Sequence, residues 1–319
     1  MSSSGEKESE KRRILLLGYV AVVVTSLLLG LFPSVSKPLI SSVNPLFYTS
    51  VCQFAPFFVF TPLSIRADRR KKKTGEISLA PRGRVFWIIL FSSFIGGIAG
   101  PIFYFFGLKS TTAADASLLA NAEMVFTIVI ASVAFRERLN RTGLLAVLLV
   151  SIGVVVVATN LEFSNSLLNF AQPGHLLILM SSVCWGIDNN VITYVSERID
   201  VIKFVTYRSS IVGPIMLVGS YFASAFPSDT SSIAKIFVVG LLVFAGSIYF
   251  NFQALKWLGA IRSTLIFPIS SLFGLLAAYL LLNEVIGIYQ IASVGIIFVG
   301  IYLMTRTGSV RREYSYDLP

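Results

Sequence analysis

The chain repeats its own pattern of apolar segments after 147 residues. Four landmarks recur at this offset: Gly107-Leu-Lys109 as Ala254-Leu-Lys256, Phe126 as Phe273, Glu137 as Glu284, and Gly153 as Gly300. Around them the same order of apolar helix, short turn, apolar helix, acidic residue and apolar helix occurs twice. If each copy holds five membrane spans, an odd number, the second copy must cross the membrane in the opposite direction. Many secondary transporters build their binding site between such inverted repeats.

The composition is that of a protein dissolved in lipid. Hydrophobic residues make up 55% of the chain, charged residues 13%, and the mean hydropathy is +0.78. A soluble chain carries roughly 25% charged residues. The two cysteines, Cys52 and Cys184, lie inside apolar segments and have neither metal-site nor disulfide spacing. We therefore expect no metal site and no cofactor.

A window of about 20 apolar residues is long enough to cross a bilayer. Such windows predict ten spans, at 14–34, 45–64, 85–106, 112–135, 142–159, 174–195, 201–223, 233–254, 259–282 and 285–305. The predicted fold is an all-α integral membrane protein with ten transmembrane helices arranged as two inverted five-helix repeats. The predicted domains are a basic tail (1–13), a first repeat (14–159), a second repeat (160–305) and a second tail (306–319).

The positions of the basic residues predict the orientation. If the N-terminus is cytoplasmic, Lys37, Lys109 and Lys235 are the only basic residues in outer loops, and Arg208 lies inside a span. The rest of the 26 Lys and Arg residues are then cytoplasmic, as the positive-inside rule requires. The protein is thus predicted to span the cell membrane, with both termini in the cytoplasm. The basic run 69–73 is expected to lie against anionic lipid rather than nucleic acid, with a specific partner site as the alternative.

The two repeated acidic residues occupy short connections between helices. Glu137 lies in the basic loop 135–141, whereas Glu284 lies in 282–286, which has no positive charge. This difference fits an inner loop and an outer loop. A carboxylate in such a place can cap the N-terminus of the next helix, so we expect structural caps here rather than transport chemistry.

These residues and their order resemble the EamA family of the drug/metabolite transporter superfamily, over about residues 14–305. The resemblance is carried by Gly30 and Lys37, by 113–137 and 258–284, by Trp185-Gly186, and by Cys184–Asn190, which is similar to a Trp-Gly-x-Asp-Asn-Asn signature. Arg208 matches an arginine that the family often has early in the second helix of a repeat, whereas the first repeat has Gln53 nearby.

The resemblance implies a secondary carrier of small organic solutes, often an exporter of amino acids or other metabolites. The sequence shows no soluble ATPase domain, so we expect an ion or solute gradient to supply the energy. It does not name the solute. The alternatives are a polytopic membrane enzyme, and a sensor or scramblase on the same scaffold. An enzyme is disfavoured because the sequence has no Asp-rich, His-Glu-x-x-His or phosphate-loop motif. The oligomeric state stays open between monomer and homodimer.

Glu123 is the best-placed polar residue. It lies about ten residues into its span, or about 15 Å of helix rise, near the middle of the bilayer. It shares one helix face with small residues, which predicts that it points into the bundle. Its repeat counterpart is Ser270. Glu123 is expected either to contact a cationic group or relay protons, or to be a buried carboxylate that is held neutral or bonded to a nearby asparagine.

Asp188 and Arg208 are expected at equal depth in consecutive spans, where an ion pair would let both charges survive in lipid. The pair is either a structural lock or a site where Arg208 holds a substrate carboxylate. Asn189 and Asn190 follow at once, and at least one should line a cavity or bond a broken helix. Lys37 ends the first span and can extend toward the outer surface, and the resemblance makes it a further site candidate.

Overall fold

The computed structural model describes residues 2–73, 83–134, 141–159, 172–196, 198–223, 225–227, 230–258, 263 and 266–306. Within these ranges every regular element is a helix. The α-helices are Ser2–Ser42, Pro45–Lys73, Arg84–Ser92, Gly100–Lys109, Ala113–Leu119, Ala122–Ala134, Arg141–Thr159, Pro173–Ser196, Val201–Phe222, Thr230–Val239, Gly246–Leu258, Ile269–Leu282 and Ile288–Arg306. Two π-helical segments, Ser93–Ala99 and Gly240–Ala245, interrupt them.

These helices group into ten membrane spans. Spans 1 to 10 are Arg12–Ser42, Pro45–Arg70, Arg84–Lys109, Ala113–Val133, Arg141–Thr159, Pro173–Val195, Val201–Phe222, Ser231–Leu258, Ile269–Leu282 and Ile288–Gly300. The first eight are long enough to cross a bilayer, and the last two are shorter apolar helices. The all-α fold with ten helices in two inverted repeats is confirmed. Span 1 is longer than the predicted 14–34, since its helix continues to Ser42.

The spans pack as two related copies of one module. Span 1 packs on spans 8 and 9, and its counterpart, span 6, packs on spans 3 and 4. Span 2 packs on its own counterpart, span 7, and span 5 packs on span 10. Exchanging the two repeats therefore reproduces the same set of contacts, as a two-fold axis in the membrane plane requires. Because spans alternate in direction, the bundle has an N-side, where span 1 begins, and a far side, where it ends.

Two glycines mark equivalent crossings between the repeats. A Cβ placed on Gly30 in span 1 would lie 2.6 Å from the Cβ of Phe273 in span 9. A Cβ placed on Gly186 in span 6 would lie 2.7 Å from the Cβ of Phe126 in span 4. Phe126 and Phe273 are counterparts at the 147-residue offset, so the two crossings are related by the repeat. Without side chains at these points, the helix backbones approach closely.

The third span of each repeat contains a π-helical segment in its middle. These segments are Ser93–Ala99 in span 3 and Gly240–Ala245 in span 8, and they begin 147 residues apart. A π-helical turn widens the helix and changes which backbone groups are paired, and such turns are frequent at functional sites. Both segments lie where their spans cross the centre of the bundle.

The fourth span of the first repeat is broken at its centre, and a matching turn precedes the described helix of the fourth span in the second repeat. The sequence predicts a continuous helix over 112–135, but the structure has a turn at 120–121, and a matching turn lies at 267–268 before span 9. After each turn the helix restarts with the same backbone bonds: Glu123 N donates to the carbonyl at 120 over 3.0 Å, and Ser270 N to the carbonyl at 267 over 2.8 Å. Glu123 and Ser270 thus occupy the first turn of a half-helix.

Different residues cause the two breaks. In the second repeat the turn contains Pro268, which has no N–H to donate to the preceding helix. In the first repeat the counterpart is Asn121, whose Nδ2 donates to the carbonyl of Leu118 over 2.8 Å. A local bond from an asparagine side chain to the backbone competes with helix continuation. Both breaks lie beside the cavities described next.

Candidate functional site

Two chambers lie one above the other between the repeats. Pro33 and Ser117 line the far-side chamber, whereas Asp188 and Arg208 line the N-side chamber. Both are lined by Leu29, Phe32, Glu123 and Trp185, so these four residues mark where the chambers meet. The centroid of the Trp185 ring lies 5.2 Å from the centroid of the Tyr104 phenol ring. The junction is therefore narrow, largely aromatic, and contains one carboxylate.

The chambers differ in their polar groups. Beyond the shared residues, the far-side chamber is lined by the uncharged polar residues Ser117, Asn121 and Ser270. The N-side chamber has charged and amide residues and an aromatic wall, namely Asp188, Asn189, Arg208, Ser247, Asn251, Phe204, Phe244 and Phe252. The predicted counterparts Glu123 and Ser270 therefore face the same chamber, although only Glu123 also faces the other.

Glu123 points into the bundle, as its helix face predicts. Its Oε1 accepts a hydrogen bond from Nδ2 of Asn189 over 2.6 Å, and the same Nδ2 lies 3.5 Å from Oγ1 of Thr127. Thr127 and Ala131, on the same face, are buried. The predicted bond between Glu123 and a nearby asparagine is thus present, and it joins span 4 to span 6.

The predicted ion pair between Asp188 and Arg208 is also present. Oδ2 of Asp188 lies 2.7 Å from Nη1 of Arg208, and both side chains are buried. Oδ1 of Asp188 accepts a hydrogen bond from Ser92 Oγ in span 3. Because spans 3, 6 and 7 all contribute, this cluster ties three helices together at the wall of the N-side chamber. A charge buried without such partners would be strongly destabilising.

Glycines in span 3 make room for this cluster. A Cβ on Gly96 would overlap the carboxylate of Asp188, and one on Gly97 would lie 3.3 Å from Nε of Arg208. The carbonyl of Gly96 accepts from Nε1 of Trp185 over 3.2 Å, and that of Gly97 accepts from Nε2 of Gln53 over 2.8 Å.

The backbone of span 3 explains why those two carbonyls bind side chains. Pro101 follows them by four and five residues and carries no N–H, so it cannot donate to a carbonyl of the preceding turn. The π-helical pairing at Ser93–Ala99 shifts the neighbouring backbone bonds as well. Freed carbonyls near the bilayer centre need other donors, and the side chains of spans 2 and 6 supply them.

Two polar atoms at the N-side chamber have no hydrogen-bond partner within the described residues. They are Nε of Arg208 and Oδ1 of Asn251, and both are buried. Arg208 bonds Asp188 through Nη1 alone, so one edge of its guanidinium is unused. A buried polar group without a partner costs about 1–3 kcal/mol. A solute that supplied an acceptor to Nε of Arg208 and a donor to Oδ1 of Asn251 would remove this cost, although both atoms are closed off from solvent here and become reachable only if the chamber wall moves.

The two adjacent asparagines have different places. Asn189 lines the N-side chamber and bonds Glu123. Nδ2 of Asn190 donates to the carbonyls of Thr127, over 3.0 Å, and Gly186, over 2.9 Å. Asn190 lines neither of these chambers and instead joins span 6 to span 4. Asn189 is therefore the amide that lines a cavity, as expected for at least one of the two.

Lys37 lies at the far side, away from both chambers. Its Nζ donates to the carbonyl of Thr111 and lies 4.0 Å from Oε1 of Glu284. Glu284 in turn accepts from the backbone N–H groups of Ala113, over 2.9 Å, and Ala114, over 3.0 Å. Lys37 therefore belongs to a cluster at the far end of the bundle and lines neither of the two chambers.

The cap formed by Glu284 differs from the prediction. We expected it to cap the next helix, span 10, but it caps span 4 of the other repeat. The sequence shows only neighbours along the chain, whereas the inverted packing brings the turn between spans 9 and 10 against the start of span 4. Glu137, its predicted counterpart, lies outside the described residues.

A second far-side cluster joins three more helix ends. Oδ1 of Asp115 accepts from Nε2 of Gln290 over 2.7 Å, and Oδ2 lies 3.6 Å from Nε2 of His175. Nδ1 of His175 lies 3.1 Å from the carbonyl oxygen of Ala158. Spans 4, 5, 6 and 10 thus meet here. With the contacts of Glu284 and Lys37, these bonds hold the two repeats together above the far-side chamber.

Sequence reasoning missed several residues that line the chambers. Asn251 stands between Phe250 and Phe252 in a largely apolar span, and an amide at that depth could have identified it. Trp185 was noted for the resemblance but not as a wall of both chambers. Asn121 could have been found by aligning it with Pro268 across the repeat.

Comparison with known proteins agrees with this architecture. A model of the EamA-like transporter family matches residues 16–159 and again residues 172–306. An uncharacterized transporter of Methanothermobacter thermautotrophicus is 26% identical over 302 residues, which cover 92% of this chain and 87% of that protein. A probable amino-acid metabolite efflux pump of Salmonella typhimurium is 30% identical over 211 residues, which cover 62% of this chain and 69% of that protein.

A solved crystal structure shares the fold at 17% sequence identity. Its TM-score is 0.66, and the match covers 92% of this chain and 98% of that one. The family model matches each half of the chain separately, in keeping with the two repeats, and the two matches together span most of the sequence. The chain is a multi-pass membrane protein and belongs to the EamA-like transporter family.

Proposed function

We propose that the protein is a secondary active transporter that exports a small, amino-acid-like organic solute across the cell membrane by alternating access. The observation that carries this is the pair of chambers that meet at Glu123 and Trp185 between two inverted repeats. Rocking one repeat against the other would open each chamber in turn to its own side of the membrane. Both termini are then cytoplasmic, and the N-side chamber is the one that faces the cytoplasm.

The proposed class of solute is inferred from the walls of the N-side chamber. The unpartnered Nε of Arg208 requires an acceptor, and the unpartnered Oδ1 of Asn251 requires a donor. A carboxylate is the acceptor that guanidinium binds best, and an adjacent ammonium group supplies the donor. Phe204, Phe244 and Phe252 would take an apolar side chain. The relative from Salmonella typhimurium, named as an amino-acid metabolite efflux pump, supports the same class.

Counterflow in proteoliposomes tests this function. Vesicles loaded with unlabelled L-phenylalanine should take up labelled L-phenylalanine in a saturable way. Phenethylamine, which lacks the carboxylate, and 3-phenylpropanoate, which lacks the ammonium group, should each compete poorly, because each leaves one polar atom of the chamber unpaired. An Asn251→Leu variant, which removes the acceptor at similar volume, should lose the preference for L-phenylalanine over 3-phenylpropanoate.

The transporter reading fails if the folded protein gives no counterflow with L-phenylalanine or any other amino acid. Release of a chemically altered product would favour an enzyme instead. Equal transport of L-phenylalanine, phenethylamine and 3-phenylpropanoate would keep a carrier but remove the assigned roles of Arg208 and Asn251.

A further inference from the structure

Glu123 is a partly buried acid that has no basic partner among the residues that the structure describes. Besides Asp68, which pairs with Lys203 near the N-side end of span 2, the described spans contain three acidic side chains: Asp115, Glu123 and Asp188. Asp188 is paired with Arg208, and Asp115 contacts His175 and Gln290. Within the described residues Glu123 has a single side-chain bond, from the uncharged amide of Asn189. An ionised carboxylate at this depth with no counter-charge is costly, so it must take up a proton or another cation.

The charged and titratable groups around Glu123 do not supply that charge. From spans 6 and 7, Asp188 and Arg208 line the N-side chamber, but they neutralise each other. From span 3, the phenol of Tyr104 lines the far-side chamber. The parts of spans 1, 8 and 9 that line the chambers contribute apolar, hydroxyl and amide residues. The N-side chamber therefore has one unbalanced negative charge whenever Glu123 is ionised.

The surroundings favour a proton over a metal cation. A hard metal ion needs several oxygen ligands around it. At Glu123 the neighbouring group within hydrogen-bond distance is the Nδ2 of Asn189, a donor, and the same nitrogen lies toward Oγ1 of Thr127. A carboxylate with an amide donor on one oxygen can hold a proton on the other. No cluster of three His, Cys, Asp or Glu side chains with metal-site geometry occurs in the described part of the chain.

The position of Glu123 gives this proton access to both sides. It is the acid that lines both chambers, and it lies in the first turn after the break in span 4. Its counterpart in the second repeat, Ser270, lines the far-side chamber and cannot titrate. One titratable group on the axis between two chambers is what exchange of a proton from one side to the other requires.

We propose that Glu123 is the coupling-ion site of the transporter and that the coupling ion is a proton. This inference rests on the proposed function, since it assigns the driving force of the same chambers. From the far-side chamber, hydronium transfers its proton to a carboxylate oxygen of Glu123, forming an O–H bond and leaving water. In the N-side chamber, that O–H bond breaks and a water molecule accepts the proton. The solute moves in the opposite direction, bound by Arg208 and Asn251.

The test compares gradient-driven transport with exchange in the same proteoliposomes. With the wild type, an imposed pH gradient should drive labelled L-phenylalanine against its own gradient, and trapped pyranine should report proton movement in the opposite direction. Glu123→Gln carries an amide that resembles the protonated carboxyl group. It should show neither gradient-driven accumulation nor coupled proton movement, and the L-phenylalanine counterflow that it retains should no longer change with pH.

Two controls separate coupling from general damage. Asp200→Asn removes an exposed acid at the N-side start of span 7, which lines neither of the two chambers, and should keep both activities. Glu123→Asp keeps a titratable group and should keep part of the gradient-driven transport. If Glu123→Gln does not fold, the wild-type pyranine signal during L-phenylalanine efflux still decides whether a proton moves with the solute.

Each outcome bears on one claim. Gradient-driven accumulation in Glu123→Gln at the wild-type level would overturn the assignment of this residue. Wild-type counterflow without any effect of the pH gradient or pyranine signal would overturn proton coupling while leaving the transporter in place. Absence of wild-type counterflow would contradict the proposed function itself, and the coupling inference with it.

Discussion

Arg208 binds Asp188 through a single nitrogen, Nη1, at 2.7 Å, while its Nε has no partner among the described residues. The bonded side of the guanidinium joins spans 6 and 7. Under the proposed function, the unbonded edge would bind the solute, so that one pair would serve two purposes. The two interpretations left open by the sequence, a structural lock and a substrate site, are compatible in this geometry because they use different nitrogens.

Arg208→Lys separates these two uses. A lysine can keep the charge pair with Asp188 but cannot offer the second edge of a guanidinium. We expect a folded protein whose thermal midpoint is close to that of the wild type and whose KM for L-phenylalanine counterflow rises about ten-fold, or ~1.4 kcal/mol. An unchanged KM would show that the solute does not use this edge.

Asp188→Ala should destabilise the protein, because it leaves the charge of Arg208 buried without its partner. Removing one member of a buried pair costs about 3–5 kcal/mol. The double variant Asp188→Asn with Arg208→Gln removes both charges and should recover part of the loss, as measured by thermal unfolding in detergent. A double variant that is less stable than Asp188→Ala alone would contradict the pairing.

The far-side contact of Glu284 with span 4 gives a third prediction. Glu284→Ala removes two hydrogen bonds to the N–H groups of Ala113 and Ala114 and the charge near Lys37. Loss of a helix cap typically costs about 1 kcal/mol. Because this cap joins the two repeats, we also expect faster labelling of a cysteine placed at Ser117 by an impermeant reagent added from the far side.

Glu284→Gln is the matched control for that variant. Its amide oxygen still accepts one backbone N–H bond, so the thermal midpoint and the rate of cysteine labelling should fall between those of the wild type and Glu284→Ala. Equal labelling in all three proteins would mean that this contact does not hold the far end closed.

The all-α membrane fold and the number of helices could be predicted because they depend on sequence signals that are local or periodic. Ten apolar windows and the placement of basic residues are visible without any tertiary contact. The pairing of Asp188 with Arg208 was also within reach, since two consecutive antiparallel spans place residues at equal distances from their connection at equal depth. Each of these inferences needs only helix rise and chain direction.

Features that depend on contacts between the repeats could not be predicted in the same way. Glu284 caps a helix that begins 171 residues earlier in the chain, and no local pattern indicates that partner. The break at 120–121 contains neither glycine nor proline, so it was visible only through its counterpart Pro268. The chambers exist only once spans 1, 4, 6 and 8 surround them, which is why Asn251 was not recognised.

The paired crossings at Gly30 and Gly186 provide a test of the repeat symmetry itself. A Cβ at Gly30 would lie 2.4 Å from the backbone oxygen of Ser270, and one at Gly186 would lie 3.0 Å from the backbone nitrogen of Thr127. Backbone cannot move aside as the end of a flexible side chain can. Inserting a methyl group into such a contact costs about 1–3 kcal/mol. We therefore expect Gly30→Ala and Gly186→Ala each to lower the thermal midpoint.

Gly219 is the matched control, because it lies within a helix of the same bundle and a Cβ there would meet nothing within 4 Å. Gly219→Ala should be neutral or stabilising by up to ~1 kcal/mol, since alanine favours the helix. If the two crossings are equivalent, Gly30→Ala and Gly186→Ala should also reduce counterflow to a similar extent, because each crossing joins a helix of one repeat to the broken span of the other. A loss in one variant together with wild-type behaviour in the other would show that the two repeats do not move as counterparts.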